Sequence, residues 1–237
     1  MAKLYFSYAA MNAGKSTILL QASYNYQERG MRTLAYTSMH HAKHDDGEIV
    51  SRLGVRTRAR TFAPGDKLYA GIARAHRRLP VHCVFVDEAQ FLTRDQVWEL
   101  ARVADELNIP VLCYGLRTDF RGELFEGSAA LLAIADSLRE IRTICHCGSK
   151  ATMVVRTDST GKAERNGEQV GVERGQYVSL CRKHWLEAMG RTRKTRPPAG
   201  SALHRIPAKR STKTGSNGEG KRRRKNGGNG SARRQGA

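Results

Sequence analysis

The feature that most constrains the fold is a short loop between an apolar segment and a helical one. Residues 4–8 predict a strand, residues 18–29 predict a helix, and residues 9–17 between them are AAMNAGKST. A strand, a loop ending in Gly-Lys-Ser and a helix are the context of a phosphate-binding P-loop. The backbone N–H groups of such a loop, together with the positive end of the helix dipole, surround a phosphate. The sequence therefore predicts a nucleotide site at this loop.

Roles within the loop follow from the P-loop pattern. Lys15 is expected to reach the β- and γ-phosphates, and the Ser16 hydroxyl is expected to bind Mg²⁺. The pattern calls for glycine at position 9, and Ala9 is tolerated there only if its φ is not positive. The alternative is a chance Gly-Lys-Ser in a surface loop. We assign ATP binding to the whole loop, which comprises Ala9, Ala10, Met11, Asn12, Ala13, Gly14, Lys15 and Ser16.

A second candidate for chemistry is the acid pair that follows the apolar run at 81–86. Such a run predicts a buried parallel strand, and ligands of open α/β sheets bind beyond the carboxyl ends of their strands. Asp87 is expected to hold Mg²⁺ as a Walker-B acid does, which leaves Glu88 free for another task. The alternative is an acid pair that only caps the next helix. The predicted ATP-binding set also takes in Asp87, Glu88, Ala89 and Gln90.

The remaining pattern up to residue 144 alternates strands with helices. Strands are predicted at 32–37, 110–115 and 138–144, and helices at 66–78, 93–107 and 127–135. Starting from a P-loop, this alternation predicts an α/β domain, residues 1–144, with a mainly parallel sheet. Residues 39–65 show little periodicity and predict a long loop. Its histidines at 40, 41 and 44, beside Asp45 and Asp46, are a weak indication of a metal site, and a solvated loop is the favoured interpretation.

The cysteines fall into two groups. Cys83 and Cys113 lie inside apolar runs, so we predict that they are small buried hydrophobic residues. The other three, together with His184, form two ligand pairs separated by short β-like runs, which predicts a zinc ribbon over residues 145–190. Four nitrogen and sulfur ligands make a closed structural site for Zn²⁺, and the alternative is unrelated buried cysteines beside a surface histidine. The predicted ligands are Cys145, Cys147, Cys181 and His184.

The net charge of +19 is concentrated at one end of the chain. Residues 191–237 hold 15 Lys/Arg and one acidic residue, a net charge of +14 that leaves +5 for the rest. This composition predicts a disordered basic tail, which either contacts a polyanion weakly through charge or is solvated without a specific partner. No run of 18 apolar residues and no secretory segment is present, so we expect a cytoplasmic protein that does not span a membrane.

The P-loop, the Asp-Glu-x-Gln-Phe segment and the two ligand pairs together resemble the zinc-containing thymidine kinases of the bacterial and cytosolic type. The resemblance covers residues 2 to about 190. It is strengthened by SYNYQERG at 23–30, DEAQFLTR at 87–94, CYGLRTDFRGELF at 113–125 and CRKH at 181–184.

The resemblance implies a RecA-like P-loop kinase that phosphorylates the 5′-hydroxyl of thymidine with ATP and Mg²⁺, giving dTMP and ADP. Glu88 matches the family's general base. Thymidine is held in that family under a lasso loop carried by the zinc domain. By the same resemblance, the nucleoside contacts here are Met11, Leu116, Phe120 and Tyr177. A homotetramer inhibited by dTTP is implied as well.

The sequence departs from the family in one segment and leaves two alternative functions open. The lasso at 170–176 lacks the family's Gly-Gly pair and is one residue shorter. A RecA-like nucleic-acid-dependent ATPase would use the basic tail to contact a strand, although the residues before Cys145 are too few for the two lobes of a helicase. A zinc-ribbon nucleic-acid binder without enzymatic activity would leave Lys15, Ser16 and the Asp87-Glu88 pair without a purpose.

Overall fold

A sheet of parallel strands forms the centre of the protein. The computed structural model describes residues 1–42, 47–169 and 176–191. The strands in chain order are β1 (Leu4–Ala9), β2 (Thr33–Ser38), β3 (Glu48–Val50), β4 (Arg56–Arg58), β5 (Arg60–Phe62), β6 (Cys83–Val86), β7 (Val111–Leu116), β8 (Ser137–Glu140), β9 (Thr143–Ile144), β10 (Lys150–Ala151), β11 (Met153–Thr157) and β12 (Gln176–Leu180). The helices are α1 (Lys15–Glu28), α2 (Met39–Ala42), α3 (Leu68–Arg78), α4 (Arg94–Leu107), α5 (Glu126–Ile134) and α6 (Arg182–Ala188), with a 3₁₀ turn at Ala89–Phe91.

The central sheet has six strands in the order β5-β2-β6-β7-β1-β8. Every neighbouring pair is parallel. This confirms the predicted α/β fold with a mainly parallel sheet. Because parallel strands end at the same edge, the loop after β1 and the acids after β6 lie at one edge of the sheet, separated by β7.

The sheet is covered by helices on both faces, and strand β6 shows how its side chains are divided between them. Val84 and Val86 pack into the core beneath α3, α4 and α5, whereas Cys83 and Phe85 pack into a second core beneath α1. All four side chains are buried, as expected for a strand with a helical layer on each side. Cys83 and the Cys113 side chain on β7 have no exposed surface, so their predicted burial is confirmed.

Two of the predicted elements are wrong. Residues 39–65 were expected to form a long loop, but the described part contains α2, the antiparallel pair β3–β4 and the sheet-edge strand β5. These strands are three residues long, too short to show alternation, and their core contacts come from isolated side chains such as Ile49 and Phe62. The remaining histidine side chains of this segment, at 41 and 44, lie outside the described residues.

The second wrong element is the strand predicted over residues 138–144. It ends at Glu140 in the structure, and Thr143–Ile144 pairs instead with Lys150–Ala151 in a separate ribbon. The chain therefore leaves the central sheet just before the first predicted zinc ligand. None of the helices in the part of the chain described here is long and apolar enough to cross a membrane.

The described residues from 143 onward form what we call the C-terminal module. It consists of two antiparallel ribbons, β9–β10 and β11–β12, and helix α6. The Trp185 indole N–H donates to the carbonyls of Val154 in the module and Phe120 after β7, each at 3.0 Å, which ties the module to the sheet. The module has its own small core of Cys145, Ala151, Val155, Leu180, Trp185 and Met189.

Candidate functional site

The loop between β1 and α1 has the backbone of an anion-binding site. Gly14 begins α1 with φ 82°, a left-handed conformation that glycine adopts without strain. The first turn of α1 has no side-chain cap and no acidic residue, so its amide groups are left for another acceptor. Ala9 is the last residue of β1 and is not among the residues with positive φ, so the condition set by the missing glycine is met.

Lys15 gives this loop an unusual charge. Its side chain is buried, with 7% of its surface exposed. Within the described residues it makes no ion pair, whereas a buried charge is normally paired because its desolvation is costly. A phosphate group at the amino terminus of α1 would supply the missing negative charge.

Ser16 and Asp87 meet across the edge of the sheet. The Ser16 hydroxyl donates to Asp87 Oδ2 at 2.8 Å, and the Glu88 backbone N–H donates to Oδ1 at 3.0 Å. Burial and the neighbouring Glu88 raise the pKa of Asp87 to about 6, against the Ser16 and Glu88 hydrogen bonds and the charge of Lys15. A hydroxyl and a carboxylate are oxygen ligands of the kind that Mg²⁺ prefers, so the donor set fits this ion.

Glu88 lies in a turn whose conformation is fixed by the side chain of Gln90. Its φ is 51°, in the left-handed region that a residue with a side chain seldom adopts. The buried Gln90 side chain explains how the turn is fixed. Its amide donates to the Glu88 carboxylate, and its carbonyl accepts from the Leu116 N–H at 3.0 Å. Gln90 therefore connects the acid to the end of β7.

The same turn is also packed closely against two glycines, Gly127 of α5 and Gly115 of β7. A Cβ atom at Gly127, in the first turn of α5, would lie 2.5 Å from the Ala89 carbonyl oxygen and 2.7 Å from that of Leu92. A Cβ at Gly115 would lie 2.9 Å from the side-chain carbonyl oxygen of Gln90. Only glycine fits at these two positions, which lets α5 and β7 approach the turn that carries Glu88. The sequence offered no signal for either contact.

Of the four predicted nucleoside contacts, Leu116 is the last residue of β7 and Phe120 lies four residues after it. Leu116 is the register partner of Ala9 and so lies beside the start of the phosphate loop. Phe120 is buried, with the Arg156 guanidinium 4.1 Å from its ring centroid. Arg156 is the register partner of Tyr177 across the β11–β12 ribbon, so Tyr177 and Phe120 are both neighbours of this arginine. The predicted lasso contacts at 170–175 lie outside the described residues.

The other nucleoside candidate, Met11, lies in the phosphate loop and contacts the C-terminal module. Its carbonyl accepts a hydrogen bond from the Ser179 hydroxyl on β12. Beside it, the Asn12 side-chain amide donates to the Tyr177 carbonyl at 3.3 Å. Met11 and Tyr177 are thus brought to the same side of the sheet edge, through contacts that the sequence did not predict.

The four predicted zinc ligands come together in the C-terminal module. Their ligand atoms all lie within 4.8 Å of one another. His184 Nδ1 is 3.4 Å from Cys145 Sγ and 3.3 Å from Cys181 Sγ, and the sulfurs of Cys147 and Cys181 are 3.9 Å apart. A tetrahedron with zinc–sulfur bonds of about 2.3 Å has edges of roughly 3.8 Å, so the residues fit a zinc ion.

Two features surround this cluster. Hydrogen bonds from the hydroxyl and backbone of Ser149 lower the pKa of the Cys147 thiol to about 6, which favours the thiolate that a metal requires. The His146 ring lies 4.3 Å from the His184 ring, centroid to centroid, with its Nδ1 3.7 Å from Cys145 Sγ. His146 therefore packs on a ligand without completing the group of four, a contact that the Cys-x-Cys spacing did not reveal.

Comparison with known proteins adds a direct result. A family profile described as thymidine kinase matches residues 2–185. The chain is 65% identical over 191 residues to a thymidine kinase of Mesorhizobium japonicum, an alignment that covers 81% of this chain and 94% of that protein. It is 61% identical to a thymidine kinase of Agrobacterium fabrum (79% and 97% covered) and 57% identical to one of Yersinia pestis (80% and 97% covered).

Proposed function

The chain belongs to the thymidine kinase family, and we propose that it transfers the γ-phosphoryl group of ATP to the 5′-hydroxyl of thymidine. The observation that carries this proposal is the group of Lys15, Ser16, Asp87 and Glu88 at one edge of the sheet, in a chain that matches the family over residues 2–185. In the reaction, the 5′-oxygen forms a bond to the γ-phosphorus, the bond to the β,γ-bridging oxygen breaks, and ADP leaves.

The phosphate loop binds and orients ATP. The uncapped amide groups of α1 and the buried Lys15 ammonium surround the β- and γ-phosphates, which give both a direct negatively charged partner. Ser16 Oγ and Asp87 are the residues that would hold Mg²⁺ with the nucleotide. When bound, the ion neutralises charge on the β- and γ-phosphate oxygens.

Glu88 receives the proton of the 5′-hydroxyl. A general base must lie within hydrogen-bond reach of the proton that it removes, and the proposal therefore requires the 5′-hydroxyl of a nucleoside bound beside Met11 to lie next to the Glu88 carboxylate at the sheet edge. The Gln90 amide hydrogen-bonded to Glu88 fixes the orientation of the carboxylate, and the contact between Gln90 and β7 prevents the turn from relaxing.

Thymidine binds between the end of β7 and the C-terminal module. Leu116, Met11 and Tyr177 provide an apolar and aromatic surface suited to a pyrimidine ring, and the buried Phe120 ring lies against Arg156, the register partner of Tyr177. The zinc-ribbon fold of the module and its lasso over residues 170–176 would close the other side of the nucleoside. A Zn²⁺ held by the three cysteines and His184 would have a structural role, because four protein ligands leave no coordination position for a substrate.

The proposal includes a homotetramer. Its support from the structure is an apolar groove of about 290 Å³ between α4 and α5, where the Trp98 side chain is half exposed beside Ala130 and Ala133. Aromatic residues are enriched at interfaces, where water is excluded from their rings. Light scattering after size-exclusion chromatography measures the assembly directly, and Trp98→Lys tests whether the groove takes part in it. A monomeric wild-type protein would refute the tetramer.

The activity is tested by incubating the full-length protein with ATP, Mg²⁺ and each of thymidine, deoxyuridine, deoxycytidine, deoxyadenosine and deoxyguanosine. Separation of the products by chromatography should show dTMP, and Lys15→Ala serves as the matched control that removes the phosphate contact. The absence of any nucleoside monophosphate would overturn the proposal. ATP hydrolysis that requires single-stranded DNA and no nucleoside would favour a nucleic-acid-dependent ATPase in its place.

A further inference from the structure

We infer that strand β12 of the C-terminal module positions the phosphate loop for ATP, with Ser179 as a positioning residue. This inference rests on the proposed nucleotide site, but it assigns to the module a role in binding ATP in addition to its role at the nucleoside. The link consists of two hydrogen bonds between β12 and the centre of the loop. Ser179 Oγ donates to the Met11 carbonyl, and Asn12 Nδ2 donates to the Tyr177 carbonyl at 3.3 Å.

The part of the loop held by these bonds is the part that needs support. Asn12 has φ 64°, in the left-handed region, where a non-glycine residue is strained unless its surroundings fix it. The bond from its side chain to the Tyr177 carbonyl secures this conformation. Since the loop binds phosphate through backbone N–H groups, the orientation of each peptide unit decides whether its N–H points toward the nucleotide. Anchoring the Met11 carbonyl fixes the peptide unit that ends in the Asn12 N–H.

The strand that provides the anchor is itself fixed by the zinc cluster. Residues two apart on a strand share a face, so the side chains of Tyr177 and Ser179 lie on the same face of β12. Cys181, which directly follows the strand with an extended backbone, continues this series. Cys181 Sγ lies 3.3 Å from His184 Nδ1 and belongs to the predicted metal site. In addition, β12 pairs with β11 from Leu180 to Gln176. The cluster and the ribbon thus hold Ser179 at a defined position relative to the phosphate loop.

Removing the hydroxyl is expected to weaken nucleotide binding while the module stays folded. In Ser179→Ala the Met11 carbonyl loses its donor, and the loop regains freedom that ATP must then restrict. The loss of a single hydrogen bond corresponds to roughly 3- to 10-fold weaker binding of Mg·ADP, measured by calorimetry without nucleoside. The KM for ATP should rise by a similar factor, with kcat changed less than about 2-fold. Ser179→Thr, which keeps the hydroxyl, should restore the affinity.

The matched control is Thr157→Val on the partner strand. Thr157 Oγ1 donates to the Gln176 carbonyl at 3.0 Å, so this variant removes a hydroxyl bond from the same ribbon without touching the phosphate loop. Its affinity for Mg·ADP should equal that of the wild type. Zinc content is measured by mass spectrometry for every variant and should be unchanged, because none of the four ligands is altered.

A second variant keeps the inference falsifiable if Ser179→Ala does not fold. Asn12→Gly accepts a φ of 64° without strain, removes the side-chain amide that bonds to Tyr177 and gives the loop backbone more freedom, so it should also weaken Mg·ADP binding. Affinity equal to that of the wild type in either folded variant, with zinc retained, would overturn the inference. A protein that binds Mg·ADP but phosphorylates no nucleoside would refute the proposed function and leave this inference intact, because the binding measurement contains no nucleoside.

Discussion

The nucleotide edge of the sheet and the C-terminal module both hold polar groups in fixed positions, but different forces hold them. Asp87 follows a strand whose four side chains are all buried between two layers of helices. The module has two short ribbons, one helix and a core of a few side chains around Cys145 and Trp185. A core that small buries little apolar surface, so we expect the module to depend on a metal ion for its stability.

This difference indicates which substitutions change chemistry and which change folding. At the nucleotide edge, one polar group can be replaced while the sheet keeps its core, so the result is a change in catalysis or affinity. In the module, we expect the four predicted ligands to be part of the fold, because binding of a structural zinc ion would contribute directly to folding. The predictions below test this contrast, beginning with the largest expected effect.

Loss of one zinc ligand should have the largest effect. The wild type is expected to contain one zinc ion per chain, and Cys181→Ser should contain almost none, since structural sites of this kind contribute on the order of 10 kcal/mol to folding. Thymidine binding should fall with the metal because Tyr177 lies on the strand that ends at this ligand. The helical circular dichroism, which comes mainly from the sheet-covering helices, should largely remain.

The control for this experiment is Cys83→Ala, which removes a buried thiol from β6 and leaves the four ligands intact. It should retain zinc and thymidine binding. Wild-type protein purified without chelator but free of zinc would contradict the prediction. Loss of all helical signal in Cys181→Ser would show that the sheet depends on the module for folding and would remove the contrast drawn above.

The next largest effect is expected at Glu88. Glu88→Gln should lower kcat by roughly 10²- to 10⁴-fold because the amide cannot accept the proton of the nucleoside hydroxyl. Binding of Mg·ADP should stay near the wild-type value, since the Ser16–Asp87 pair and Lys15 are unchanged. Rapid-quench kinetics with thymidine and calorimetry with Mg·ADP measure the two effects. A kcat close to the wild-type value would remove Glu88 from the proposed chemistry.

The sequence predicted the chemical groups of both regions better than it predicted their supports. The phosphate loop, the Asp87-Glu88 pair and the four predicted metal ligands could be proposed from the sequence because each chemistry needs particular side chains at short spacing, and the structure brings the members of each group together. The contacts that hold them have no such spacing. Ser179 and Met11 are 168 residues apart, and Gln90 connects Glu88 to Leu116 only after β6 and β7 have paired.

The sequence also offered no indication of the close backbone packing around the site. Gly127 lies in a helix of small residues, and nothing in that pattern indicates that its Cα faces three backbone carbonyls of the turn at 89–92. The edge strand β5 escaped prediction because its three residues are too few to display an alternating pattern. In both cases the deciding contact comes from a distant part of the chain, which local periodicity does not encode.

A smaller effect is expected from the buried charge of Asp87. Burial raises the folded-state pKa from 3.8 to about 6, so between these values the unfolded state binds fewer protons, and the free energy of unfolding falls as the pH rises. Asp87→Asn has no carboxyl group to ionise, so its free energy of unfolding does not fall with pH for this reason. Without added nucleotide or Mg²⁺, the variant should be more stable than the wild type at pH 7.5 by up to about 3 kcal/mol, a difference that shrinks below pH 4. Urea unfolding at both pH values measures it.

Asp119→Asn is the matched control for the sign of this effect. Asp119 is as buried as Asp87, but its carboxylate accepts from the backbone N–H groups of Arg121 and Glu123 and forms an ion pair with the Arg121 guanidinium. Losing a paired charge should lower the stability at pH 7.5. If Asp87→Asn were also destabilising at this pH, the carboxylate would be stabilised by its partners more than it is penalised by burial.

The smallest effect on catalysis is expected from removing the basic segment at 192–237, which lies outside the described residues. Every group in the proposed chemistry precedes it. The point of truncation matters, because Arg191 packs its guanidinium 5.0 Å from the Trp185 ring centroid and reaches the Arg121 carbonyl at 3.5 Å. A chain ending at Arg191 should therefore keep kcat with thymidine unchanged. A chain ending at Gly190 loses this contact on the indole that ties the module to the sheet and should be slightly less stable.

Binding to heparin at low salt should be lost in both truncated chains and should weaken steeply with salt in the full chain, since it depends on charge alone. If the chain ending at Arg191 lost its activity, the basic segment would have to act on the nucleotide edge or on the assembly. The conclusion that the nucleotide edge and the C-terminal module work without this segment would then be wrong.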